Sequence, residues 1–220
     1  MTRSKALVVV ALLLAAFAVG ATASAAPSKA HAHWSFKDSP AGLSGFWGRI
    51  QSFYKPFTAG ALAPPKAPAA ANGETQLPSL NRQIASAINT FRVAHGLAPL
   101  TISVGLNASS RQHSLEMGAR GYFDHPSADG TAWWKRIQNY YGSDGYSYWT
   151  VGENLVWSSP NISAAEAMRL WIQSAVHLRN LKDPNWTELG VSSVHVLHAR
   201  GVYDGYTVTI ITTDFGARHS

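Results

Sequence analysis

Apolar positions recur every three or four residues along Leu80, Ile84, Ala87, Ile88 and Phe91, which predicts a helix capped by Ser79 and stopped at Gly96. A second helix opens at Ser103 with Leu106, Ser110, His113 and Met117 on one stripe. Gly118 weakens its last turn and Gly121 ends it. Tyr122 to Gly130 reads as a loop, and Thr131 as the cap of a short third helix carrying Trp133, Ile137 and Tyr140. The run Tyr141 to Thr150, rich in Gly, Ser and Tyr, reads as a variable loop, and Gly152-Glu153-Asn154 as a further loop. Ser163 and Glu166 form a capping box for a fourth helix, which carries Trp171, Ser174, His177 and Arg179. Leu189–Leu197 and Tyr206–Phe215 alternate as the strands of an antiparallel hairpin. Helices first and strands last predict an α+β layered domain.

The chain before that domain has a different pattern. Residues 1–26 read as a secretory signal peptide: Arg3 and Lys5 precede the apolar run Ala6–Val19, and small residues around Ala23-Ser24-Ala25 offer a cleavage site. An uncleaved anchor is the alternative, although a run of 14 residues is short for a bilayer. Residues 27–57 are aromatic-rich. Phe46, Ile50, Phe53 and Phe57 share one helical face, which either folds back onto the domain or lies against a membrane or wall surface. Residues 58–78, dominated by Ala and Pro, read as a semi-extended linker. The domain itself is placed at residues 79–218.

The absence of cysteine excludes disulfides, thiolate metal sites and a cysteine nucleophile, so packing and hydrogen bonds must hold an exported domain. The net charge is +6, or +4 without Arg3 and Lys5, and the basic residues are scattered with only Lys135-Arg136 adjacent. No basic stripe marks a nucleic-acid site, while a weak attraction to anionic envelope polymers is allowed.

Among candidate chemical groups, His125 stands in a polar turn beside Asp124 and Asp129, suiting either a ligand-facing role or a loop pin. Glu153 would either order its own loop or act as a base or metal partner. His113 falls on the buried stripe and reads as a core histidine. His177 reads equally as a ligand or an anchor. The sequence has neither an H-E-x-x-H helix nor a G-x-S-x-G elbow.

The matching stretches are Ile88-Asn89-Thr90-Phe91-Arg92, His113-Ser114, Tyr122-Phe123-Asp124-His125, Gly152-Glu153-Asn154-Leu155, Trp171 with Ser174, His177 and Asn180, and Trp186-Thr187-Glu188-Leu189-Gly190. In this order they resemble the bacterial branch of the CAP superfamily, the domain of cysteine-rich secretory proteins, antigen 5 and pathogenesis-related proteins (SCP domain). The resemblance covers about residues 80–216 and implies a three-layer α-β-α sandwich. It also implies a shallow cleft with two histidines and two glutamates, which in some members hold a divalent metal such as zinc. By motif His125 and Glu153 carry over, but the other two positions fall at Ser174 and Asn185.

The expectation is a secreted binding module whose cleft near His125 and Glu153 engages an extracellular lipid, wall component or protein. A divalent-metal-assisted hydrolase is the alternative, with His125 and His177 as metal ligands and Glu153 as catalytic base. A third reading is an envelope-docking role for residues 34–57.

Overall fold

The computed structural model describes residues 73–220. The leader, the aromatic segment and the linker as far as residue 72 lie outside the described residues. The centre of the domain is an antiparallel hairpin, β4 (Glu188–Val196) and β5 (Val208–His219), as the alternation predicts. The long strand β3 (Tyr148–Ser158) pairs with the other edge of β5 along its whole length. Two short strands share the free edge of β4: β1 (Glu74–Gln76) runs antiparallel at its end, and β2 (Thr101–Ile102) runs parallel at its start. Residues 74–76 therefore finish the expected linker as a sheet edge.

Helix α2 (Val104–Arg120) covers one face of this sheet with the short helix α3 (Trp133–Gln138). Helices α1 (Pro78–Ala94), α4 (Ala164–Gln173) and α5 (Ala175–Lys182) cover the other. This is the α-β-α sandwich. On the α1 side Ile84, Ile88, Trp171, Val191, Ile211 and Phe215 are buried together. On the α2 side the buried cluster includes Leu115, Met117, Leu155, Trp157, Val194 and Ile210. Each such side chain contributes about 1.5–3 kcal/mol of burial, so two cores hold a sheet that has no disulfide. Gly190 lets α2 press against the sheet: a Cβ there would stand 2.1 Å from the backbone carbon of Leu106.

Local expectations fail where tertiary context outweighs the local signal. Helix α1 starts at Pro78, whose fixed φ suits the first turn, so Ser79 lies inside the helix and accepts from Arg82 at 3.1 Å instead of capping. Thr131 does not cap α3; Ala132 holds that position, with no side-chain cap. The Gly152-Glu153-Asn154 stretch is no loop but the middle of β3. The expected fourth helix breaks at Ser174, which is extended (φ −98, ψ 117), and restarts as α5. The Ser163 cap is present and accepts from the Glu166 N–H at 3.1 Å.

Candidate functional site

The site forms where β3 meets the loop between α2 and α3. That loop is tied down by its own polar residues. The Asp124 carboxylate accepts from the His125 N–H at 2.8 Å, and Asp129 from the Thr131 N–H at 2.8 Å. From beneath, His113 Nε2 donates to the Asp124 carbonyl at 2.8 Å. His113 is fully buried, and burial holds its imidazole down to about 4, against the opposing pull of Glu153. It is a neutral core histidine whose task is to set the loop.

Held in this way, His125 directs Nδ1 at Glu153 Oε1, 2.7 Å away. The second Glu153 oxygen is taken by Arg136 Nη2 from α3. The other arm of the same guanidinium, Nη1, donates to the His125 carbonyl at 2.9 Å and to Ser127 Oγ at 3.4 Å. One arginine thus fixes both the carboxylate and the loop that carries its histidine partner. Burial would push the Glu153 carboxyl up. The Arg136 guanidinium, helped by His113 and His125, outweighs it and holds the group at about 2. With Glu153 ionised, the His125 Nδ1 must carry the hydrogen. The His125 side chain is 36% exposed, and among the described residues its Nε2 has no hydrogen-bond partner.

The opposite face of β3 joins the site to α5. Asn180 Nδ2 donates to the Glu153 carbonyl at 3.0 Å and to Asn154 Oδ1 at 2.8 Å, while Asn154 Nδ2 donates to the His177 carbonyl at 3.1 Å. Trp171 Nε1 donates to the Leu155 carbonyl at 3.1 Å. Side chains therefore occupy the outer edge of β3, which would otherwise offer free carbonyls to another strand. Gly152 is required here because a Cβ would meet the Trp186 ring at 2.9 Å. His177, in the first turn of α5, is half-buried. Burial lowers its imidazole to about 4, and the charge of nearby His125 adds to this.

The structure thus joins His125 directly to Glu153 and sets His177 within electrostatic reach of His125. It does not assemble a catalytic zinc centre from them. Such a site wants three protein ligands and an open position. Here His125 could offer only its outward Nε2, its Nδ1 donating to a carboxylate as in many ligating histidines, but both Glu153 oxygens are engaged within the protein, and Asn185, at one of the remaining positions, bonds Asp183 at 2.8 Å. Among the described residues no group of three His, Asp or Glu side chains is placed to hold a metal ion. Among the described residues the donor set therefore falls one ligand short of that centre.

Arg136 and Asp214 are the site residues that sequence reasoning missed. In the sequence Arg136 stands out only as half of an adjacent basic pair, yet it is 1% exposed. Its helical spacing was the available signal: it lies three residues after Trp133 and four before Tyr140, on the inward side. Asp214 stands in the buried part of β5 directly opposite Glu153.

Residues 85–210 match the cysteine-rich secretory protein family, CAP. The chain belongs to the CAP family. It is of the bacterial branch: over 136 residues it is 32% identical to the uncharacterized protein YkwD of Bacillus subtilis (strain 168). That alignment takes in 59% of this chain and 51% of YkwD, so the chain spans about half the length of the curated relative it matches. An outer surface protein of Borrelia burgdorferi shares the fold, at 18% identity and a TM-score of 0.51 over 66% of this chain and 98% of that one. An extracellular protein containing an SCP domain from Bacillus anthracis is 26% identical over 65% of this chain and 41% of its own, with a TM-score of 0.48. No helix among the described residues of this CAP domain is long and apolar enough to cross a membrane.

Proposed function

We propose that this chain is an exported CAP protein that works by binding, and that it engages an extracellular lipid, envelope component or protein at the surface around His125. The observation that carries this reading is the fate of Glu153. A carboxylate that is buried, ion-paired to Arg136 and held at about 2 is a poor proton acceptor near neutral pH. It is well suited to orienting His125, whose outward nitrogen is then available to a ligand. The leader-like residues 1–26 support export, and the Borrelia protein that shares the fold is described as an outer surface protein. The aromatic segment 34–57 is a candidate for peripheral contact with the envelope.

The test compares the purified chain with its His125→Ala variant for binding to isolated cell-wall sacculi and to anionic lipid vesicles. At least one surface should retain the parent chain and lose the variant by about tenfold or more, the equivalent of about 1.4 kcal/mol. Turnover of a peptide, lipid or glycan that disappears in Glu153→Gln would overturn the binding reading in favour of a hydrolase.

A further inference from the structure

Asp214 is fully buried, and neither of its carboxyl oxygens makes a well-formed hydrogen bond among the described residues. The same is true of the Ser109 hydroxyl of α2, which lies against it. Buried polar groups without partners are uncommon, and each calls for a physical account.

The surroundings of Asp214 narrow that account. Across β3 its register partner is Glu153, on the same face of the sheet. Across β4 its partner is Gly190, which has no side chain and is pressed by the backbone of Leu106 and Asn107. Ser109 closes the α2 side. Arg136 is the cation at this place, and its Nη1 and Nη2 are already bonded to His125, Ser127 and Glu153, while its Nε reaches no acceptor. Two buried carboxylates against one guanidinium would leave a negative charge without compensation, which costs several kcal/mol. One proton removes that cost, as in other carboxyl pairs that cannot both ionise. Glu153 keeps the charge because it serves Arg136 and His125 together. Asp214 then takes the proton, and the acceptors against its new O–H are Glu153 and Ser109.

We propose that Asp214 is a neutral acid at physiological pH, that its proton latches the Glu153 carboxylate across the β3–β5 pair, and that it thereby serves as a positioning residue for His125. Burial and the charge on Glu153 both push the Asp214 carboxyl well above the usual carboxylate range, in the direction this requires. The charged or titratable groups around the latch are Glu153 from β3, Arg136 from α3, His113 from α2 and His125 from the loop. The latch does not depend on what the site binds.

The test is nuclear magnetic resonance on the purified chain labelled with carbon-13 at aspartate. At pH 7 one aspartate carboxyl carbon should resonate in the protonated-acid range, and that signal should vanish in Asp214→Asn. An Asp214 signal in the carboxylate range at pH 7 overturns the proposal, and this arm needs only that the parent chain fold. The positioning role is read from the His125 Nδ1 proton, which should appear at low field. In the parent chain that proton should be lost as rising pH ionises Asp214. In Asp214→Asn, whose amide still donates but cannot ionise, it should persist to higher pH. Identical profiles would show that Asp214 does not position His125, and the binding reading would stand untouched.

Discussion

Arg136 and Glu153, 17 residues apart in sequence, form an ion pair in which each side chain is 1% exposed. Its two ends come from the short helix α3 and the long strand β3. The pair therefore does three things together. It ties α3 to the sheet, keeps Glu153 ionised, and lets the same guanidinium hold the carbonyl of His125. A site built this way is rigid at its base and open at the outward imidazole nitrogen.

Removing one partner of such a pair leaves the other charge buried, which typically costs 3–5 kcal/mol, whereas removing both is far milder. Arg136→Met is expected to destabilise the chain by about 3–5 kcal/mol. Adding Glu153→Leu to it should recover much of that loss. Urea unfolding of the two single variants and the double variant measures the coupling. Simple addition of the single effects would show that the pair contributes no coupling.

Acid should weaken the fold before the carboxylates titrate. His113 and His177 both stand at about 4 when folded, below the ordinary histidine value of 6.5. The unfolded chain then binds more protons than the folded one between those values, so their contribution is complete above pH 6.5 and is lost as pH falls toward 4. For fully buried His113 the loss is about 3 kcal/mol. Glu153, held at about 2, adds its own loss only at lower pH, from the ordinary carboxylate value downward. Asp214 acts in the opposite sense. Its raised folded value gives stability that is full at low pH and lost as pH rises through that value. Unfolding free energy measured from about pH 7 to 4 should fall steeply in the parent chain and less steeply in His113→Gln.

The same residues show what was legible in the sequence. The helices α1 and α2 were readable because one face of each meets the sheet and the other is wet, and the β4–β5 hairpin, although buried on both faces, because it is rich in Val, Ile and Thr and bounded by turn residues. Strand β3 was not. It is buried on both faces, and it carries Glu153 toward α2 and Asn154 toward α5, so a Gly-Glu-Asn stretch that looks like a loop is a strand with internal polar partners. Motif resemblance found His125 and Glu153, but it did not reveal that Glu153 is engaged. That depends on Arg136, which looks like a surface residue until α3 is placed on the sheet. Asp214 was invisible for the same reason: its meaning lies in the residue across the ladder.

Because the described residues offer two imidazoles and set no third ligand beside them, zinc titrated into the purified chain by calorimetry should show no micromolar site that depends on both His125 and His177. Binding at micromolar affinity or tighter, lost in both His125→Ala and His177→Ala, would place the two histidines in one centre and restore the hydrolase as the leading reading.

Arg92 offers a test of how the rest of the domain supports the site. It is fully buried at the end of α1, and burial lowers its pKa from the usual value although Asp183 opposes this. Its Nε donates to the Ala98 carbonyl at 2.9 Å, and its Nη1 to the carbonyls of Leu181 and Asp183 at 3.1 and 2.9 Å. These last two carbonyls close the C-terminal end of α5, the helix whose other end carries His177 and whose Asn180 holds the Glu153 carbonyl. A lysine has one ammonium and no fork, so it cannot span these acceptors. Arg92→Lys is expected to cost about 2–3 kcal/mol, from the carbonyls left without a donor. Amide hydrogen exchange should then speed up in α5 and remain slow in the β4–β5 hairpin. Uniform acceleration across the domain would mean that Arg92 supports global stability alone and that α5 is not the element it holds.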